Sequence, residues 1–133
     1  MPIINSFLDN RPIVLRGDAY ETRMLTAAQG DLVIGTVLGV VTATGNLRVC
    51  GIGNGDGSQV ARMVLAQDAP NAAGTQNVRV LIAGMVDGDQ LTFSGVETQF
   101  SVVAATNLTH RDSLRANGIT AMHGDDLLAW DNT

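Results

Sequence analysis

The stretch from residue 30 to residue 68, GDLVIGTVLGVVTATGNLRVCGIGNGDGSQVARMVLAQD, limits the fold more than any other part of this chain. It reads as three strands, residues 32–41, 47–51 and 60–66, joined by two turns. In the first, Leu32, Ile34, Leu38 and Val40 share one face, because strand side chains alternate. Val33, Gly35, Val37, Gly39 and Val41 share the other. Both faces are apolar, so this strand is expected to be covered on both sides. Gly35 and Gly39 leave room on one face for another backbone to approach.

The rest of the chain is read as packing on this unit or hanging from it. With 133 residues there is enough for one domain with one core. A domain of that size buries roughly two thirds of its unfolded surface, so no disulfide or metal is required for folding. The lone Cys50 has no partner for an internal bridge and reads as a small buried hydrophobe in a strand. A net charge of −5, with 8 basic residues against 13 acidic ones, argues against nucleic acid, which needs a basic surface. The longest apolar run, residues 32–41, is too short to span a bilayer. Residues 1–10 lack the basic and apolar regions of a signal peptide. No nucleic-acid or membrane partner is expected.

Residues 1–17 form an arm. Ile3, Ile4, Phe7, Leu8, Ile13, Val14 and Leu15 alternate irregularly with polar residues, and Pro2 and Pro12 break any helix. The segment is too apolar for a plain disordered tail. It fits either an edge strand folded onto its own domain or an extended arm that adds to a partner's sheet. Residues 18–133 form a single β-rich domain. Residues 20–28 read as a strand, and Thr44-Gly45-Asn46 as a hairpin tip whose glycine permits a left-handed turn. Residues 68–76 read as a loop, 77–87 as a second long strand, with Gly84 marking a bulge or close approach, and 91–93 as a short strand. Another short strand is suggested around Phe100, Val102 and Val103. Thr109 followed by Asp112 fits a helix N-cap. That helix reaches about Asn117, stops at Gly118, and faces inward through Leu114. Residues 119–122 close the sheet, and 123–133 are a tail anchored by Leu127, Leu128 and Trp130.

Few residues suggest chemistry. The Gly53-Asn54-Gly55-Asp56-Gly57-Ser58 loop is rich in glycine, but its spacing is not that of a phosphate loop. Asp56 alone is too few carboxylates for a calcium loop, so the loop reads as a tight connection. His110 and His123 have no partners at metal-ligand spacing. Asp125 and Asp126 beside His123 fit a solvated loop rather than a metal site, and both this pair and the pair Asp87 and Asp89 sit in turns, where Asp is common for backbone reasons. No nucleophile elbow or local Cys–His pairing is visible. No catalytic, cofactor-binding or metal-ligating residues are assigned, no cofactor is expected, and the chain is not expected to be an enzyme.

Thr44-Gly45-x-Leu47, a short strand, and Asp56-Gly57-Ser58-x-x-Ala61-x-x-Val64-Leu65-Ala66-x-Asp68 resemble the head decoration proteins of tailed bacteriophages, the lambda protein D family. The strand 77–83 with Gly84, and Leu114 followed by Gly118-Ile119, continue the resemblance over residues 17–122. It implies a compact, mostly β protein with a β-clip-like fold or small barrel, one short helix and an extended N-terminal arm. It also implies a cementing homotrimer on the outside of the expanded phage head, made in the host cytoplasm. This trimer would sit at three-fold sites, bind the major capsid protein and stabilise the shell against DNA pressure. By position residues 1–15 would be the capsid-binding arm, with Ile3, Ile4, Phe7, Leu8, Ile13 and Val14 as candidate contacts. This arm is more apolar than the polar arm expected by analogy. The alternative is a small trimeric β enzyme of the nucleotide-hydrolase, dUTPase-like type, built on Asp56 and its loop. A virion-associated module binding glycan or host protein is a third, which the 4% aromatic content disfavours.

Overall fold

The computed structural model describes residues 14–26, 29–71, 74–104 and 106–123. Its strands are β1 (Val14–Leu25), β2 (Gly30–Leu32), β3 (Val37–Val40), β4 (Leu47–Val49), β5 (Met63–Leu65), β6 (Ala69–Asn71), β7 (Gln76–Asp87), β8 (Val102–Val103), β9 (Leu108–Thr109) and β10 (Ile119–Met122). A 3₁₀ turn, Gly88–Gln90, follows β7, and one helix, α1 (His110–Ala116), precedes β10. The described residues are thus mostly β with one short helix, as the alternating apolar pattern indicated.

The main sheet runs β1-β4-β3-β5-β7-β10, and β1 also pairs with β7. Five strands therefore close into a ring, with β10 added in parallel to the far end of β7. Closure hides most of the edges that an open sheet would expose. The ring is unevenly joined. β1 and β7 run antiparallel from Val14 opposite Val86 to Leu25 opposite Gln76, whereas β1 meets β4 only at Leu25 and Leu47. β2 and β6 form a separate ribbon, as do β8 and β9.

The expected strand 32–41 is two strands. Gly35 adopts φ +95°, a left-handed conformation, and lies in a turn that separates β2 from β3. Thr36 closes the turn, donating from N and Oγ1 to the Val33 carbonyl at 3.1 and 2.7 Å. The Asp68 carboxylate accepts the Ile34 amide at 2.9 Å. Gly35 therefore turns the chain, and Gly39 provides a close approach. A Cβ at position 39 would lie 2.4 Å from the Ser58 carbonyl oxygen.

Double coverage holds for β3, β5 and the middle of β7. Val37, Val64 and Leu81 belong to a core cluster that also takes Leu114 from α1 and Ile119 and Ala121 from β10. Their chain neighbours Leu38, Met63, Leu65 and Val80 belong to a second cluster, closed by Leu25, Leu47 and, from the ribbon, Ala69. Adjacent residues point to opposite faces, so both faces are packed. Each buried Val, Leu, Ile or Met side chain contributes roughly 1.5–3 kcal/mol.

Other elements depart from expectation. β1 extends the strand expected at 20–28 back to Val14, so the sheet takes in the last residues of the segment read as arm. The loop 68–76 contains β6, whose Pro70 lies opposite Asp31. Residues 91–93 form only a bridge, Thr36 to Thr92, because the Thr92 amide and carbonyl bond Gly35 and Val37 across the turn. The β1–β7 register slips between Val14 and Tyr20, where a Cβ on Gly17 would lie 3.8 Å from the Gly84 Cα. Gly84 thus marks an irregularity, as its position suggested. The helix is capped by Thr109 Oγ1, which accepts the Asp112 amide at 3.2 Å, and Gly118 follows at φ +96°.

Candidate functional site

Asp56 is half-buried, in a loop whose Ser58 is buried and whose Gly53 and Gly55 are exposed. Gly57 has φ +103°, and a Cβ there would strike Thr42. The Asp56 carbonyl accepts the Thr42 amide at 2.8 Å, which pins the loop to the end of β3. Asp56 Oδ1 accepts from the Ser58 amide and hydroxyl, and Oδ2 accepts from Arg48 Nη1 at 2.8 Å. Hydrogen bonds from Ser58, then the Arg48 charge, hold its carboxyl down at about 2. Both carboxylate oxygens are thus engaged, one by Ser58 within the loop and one by Arg48 of β4, as a tight connection requires.

A buried cluster joins residues far apart in sequence. His110, the first residue of α1, is fully buried. Its ring stacks on Phe93, with centroids 4.5 Å apart and planes 11° from parallel. His110 Nε2 lies 2.8 Å from Glu97 Oε1. Both Glu97 oxygens also accept the Ile52 amide, at 3.2 and 3.0 Å. A carboxylate only accepts, so Nε2 carries a hydrogen. On the other side of the ring, Nδ1 lies 3.6 Å from the Cys50 sulfur. That sulfur also lies 3.6 Å from the Gln59 carbonyl.

The three residues could suggest a nucleophile, base and orienting acid, but the thiol is wrong for that task. Burial, then the nearby Glu97 charge, raises Cys50 to about 12. A protonated, fully buried thiol is not a nucleophile. The cluster is a tie between β4's exit, the Ser94–Glu97 turn and the start of α1. Sequence reading placed Cys50 in the core but missed its partners. Sixty positions separate Cys50 from His110, so no local motif exists. The one available signal was His110 one turn before Leu114, on the inward face of the helix.

The second histidine is solvent-facing. His123 Nδ1 lies 3.0 Å from Asp89 Oδ1, and its ring meets Phe100 edge-on at 5.2 Å. Asp87 is buried and caps the 3₁₀ turn, accepting from the Asp89 amide and Gln90 Nε2. Asp87 and Asp89 thus serve separate partners. Among the described residues no three His, Cys, Asp or Glu side chains could hold a metal ion. Asp125 and Asp126 lie outside the described residues.

The candidate capsid contacts Ile3, Ile4, Phe7, Leu8 and Ile13 also lie outside the described residues. Val14 opens β1 opposite Val86. The segment between β7 and α1 exposes Val96, Phe100, Val102 and Leu108, Val96 almost completely at 98%. No helix among the described residues is long and apolar enough to cross a membrane.

These features define a small, mostly β domain closed around two apolar clusters. The family model described as bacteriophage lambda head decoration protein D matches residues 16–118, and the chain belongs to that family. The matched span runs from β1 to the glycine that ends α1. No curated protein matches the chain.

Proposed function

We propose that this protein cements a phage head: a homotrimeric, non-enzymatic clamp that binds the outer surface of the expanded capsid at three-fold sites and stabilises it against internal DNA pressure. The observation that carries the proposal is the family match over residues 16–118. The committed hydrogen bonds of Asp56 weigh against the nucleotide-hydrolase alternative, which needs that carboxylate free.

The clamp rests on residues 1–13, with Ile3, Ile4, Phe7, Leu8 and Ile13 as apolar anchors and Val14 where the arm enters β1. An extended segment can add to a capsid-protein sheet through backbone hydrogen bonds. One arm gives modest affinity. Three arms on one rigid trimer act at high effective concentration. If the acceptor edges appear only on expansion, binding selects the expanded state. The major capsid protein is then the partner, and synthesis in the host cytoplasm precedes assembly on the head.

Sedimentation with undecorated expanded heads and with unexpanded proheads of the cognate phage tests this. Selective binding to expanded heads is expected. No binding to either form by a folded trimer would overturn it. Deleting residues 1–13 leaves β1 whole, so it separates arm from fold. The truncated protein should remain a folded trimer that no longer sediments with heads.

A further inference from the structure

We propose that Asn54 is a site of spontaneous modification, at which the Gly55 amide nitrogen displaces the Asn54 side-chain ammonia through a cyclic imide. The bond from Gly55 N to Asn54 Cγ forms and the bond from Cγ to Nδ2 breaks. Ammonia departs, taking up the proton lost by the Gly55 amide. Water then opens the ring at either carbonyl, leaving aspartate or isoaspartate at position 54. No oxidant, reductant or enzyme is needed.

The chain contains two Asn-Gly pairs, Asn54-Gly55 and Asn117-Gly118. Glycine leaves the attacking nitrogen least hindered, and its backbone turns freely toward the side chain. The fold treats the two pairs differently. The Gly118 amide donates to the Arg115 carbonyl at 3.1 Å. Gly118 is also held at φ +96°, against the Ile82 carbonyl. Attack by that nitrogen requires undoing the end of α1. The Gly55 amide has no hydrogen-bond partner among the described residues, Gly55 is exposed, and no heavy atom would meet a Cβ placed there.

Conversion would have a structural consequence. Asn54 Nδ2 donates to the Val49 carbonyl and to Ser58 Oγ, both at 2.9 Å. The Ser58 hydroxyl hydrogen is already given to Asp56. Both partners of Nδ2 are therefore acceptors, and a carboxylate in its place offers them no donor. The bond from Asn54 to the Val49 carbonyl at the end of β4 is lost, leaving the Asp56–Arg48 pair to hold the loop there. Asn54 is the fastest-ageing asparagine in the described fold, and its ageing loosens the loop that packs on Gly39.

The full-length protein should be incubated at mildly alkaline pH and sampled over time by cleavage after arginine. This frees residues 49–62, in which Asn54 is the only asparagine. That peptide should gain the mass of one amide-to-acid conversion, and isoaspartate, several-fold faster than Asn117 converts. Gly55→Ala, which nothing in the loop opposes sterically, should slow the conversion severalfold. Asn54→Asp should lower the denaturation midpoint. Asn54 remaining an amide while Asn117 converts would overturn the proposal. So would a rate unchanged by Gly55→Ala, or a mass gain without isoaspartate. The comparison of the two sites in the unmodified protein stands even if the variant fails to fold.

Discussion

The Phe93 and His110 rings lie face to face, 4.5 Å apart, and this stack carries the only fully buried histidine of the described fold. Phe93 follows the bridge at Thr92, and His110 opens α1. The stack therefore fastens the irregular segment between β7 and α1 to the barrel. Replacing His110 by Phe preserves an aromatic face against Phe93 and removes both ring nitrogens. Glu97 then keeps the Ile52 amide but loses its partner in the core. A loss of about 1–3 kcal/mol is expected. His110→Ala should cost more, because it also empties the ring's volume. Chemical denaturation at constant m-value measures both. Equal midpoints for His110→Phe and the parent would show that the Glu97 bond contributes nothing.

Gly39 and Gly53 make a matched pair. Neither has positive φ, so alanine is acceptable to the backbone at both positions. At position 39 the new Cβ would lie 2.4 Å from the Ser58 carbonyl oxygen and 2.6 Å from its Cα, whereas nothing lies within 4 Å at position 53. Gly39→Ala should destabilise by about 1–3 kcal/mol through overpacking. Gly53→Ala should be near neutral or slightly stabilising, since it narrows the unfolded ensemble. Thermal melts of the two variants side by side decide the matter, and similar melts would count against the close approach.

The acid limb of stability should carry a signature of Asp56. Its carboxyl is held at about 2, below the ordinary 3.8, by the Ser58 and Arg48 bonds. A depressed folded-state value means that the contribution is complete above the unfolded value. It is lost as pH falls from about 4 toward 2. Asp56→Asn should reduce stability at neutral pH and flatten this part of the profile. The pH dependence of the urea midpoint reads both effects. An unchanged acid limb in Asp56→Asn would remove Asp56 as its cause.

The regular parts of this fold were visible in the pattern of residues. β7, α1 with its Thr109 cap and Gly118 stop, and β10 follow from alternation, capping and turn chemistry, which act locally. The break at Gly35 was not visible. Apolar alternation continues through it, and the determinant is a carboxylate at Asp68, distant in sequence, that holds the Ile34 amide. β6 was hidden because Pro70 and its neighbours have loop composition, and only pairing with β2 makes them a strand. The Cys50–His110–Glu97 cluster was hidden for the same reason: each member is ordinary alone, and only the closed barrel brings them together. Asp56 was conspicuous by its glycine neighbours, yet of these only Gly57 is required by the turn, and the carboxylate itself is engaged by Ser58 and Arg48.

Cys50 provides the alkaline counterpart. Burial raises its thiol from 9.0 to about 12, so the folded protein resists ionisation that the unfolded chain undergoes. A raised folded-state value means that the contribution is fully present below the unfolded value and is lost as pH rises from about 9 toward 12. Tyr20, raised from 10.0 to about 12 chiefly by burial, adds to the same limb at slightly higher pH. Cys50→Ala should therefore soften the alkaline decline without moving the acid one. It should also cost stability at neutral pH, because the sulfur fills space between Gln59 and His110. A thiol reagent supplies the independent check, because only the thiolate reacts. At pH 8 the native protein should be labelled only as fast as it opens, and denaturant should release one thiol per chain at once. Rapid labelling of the folded protein would mean that Cys50 is reached without unfolding, and the tie it forms with His110 would then be open to solvent.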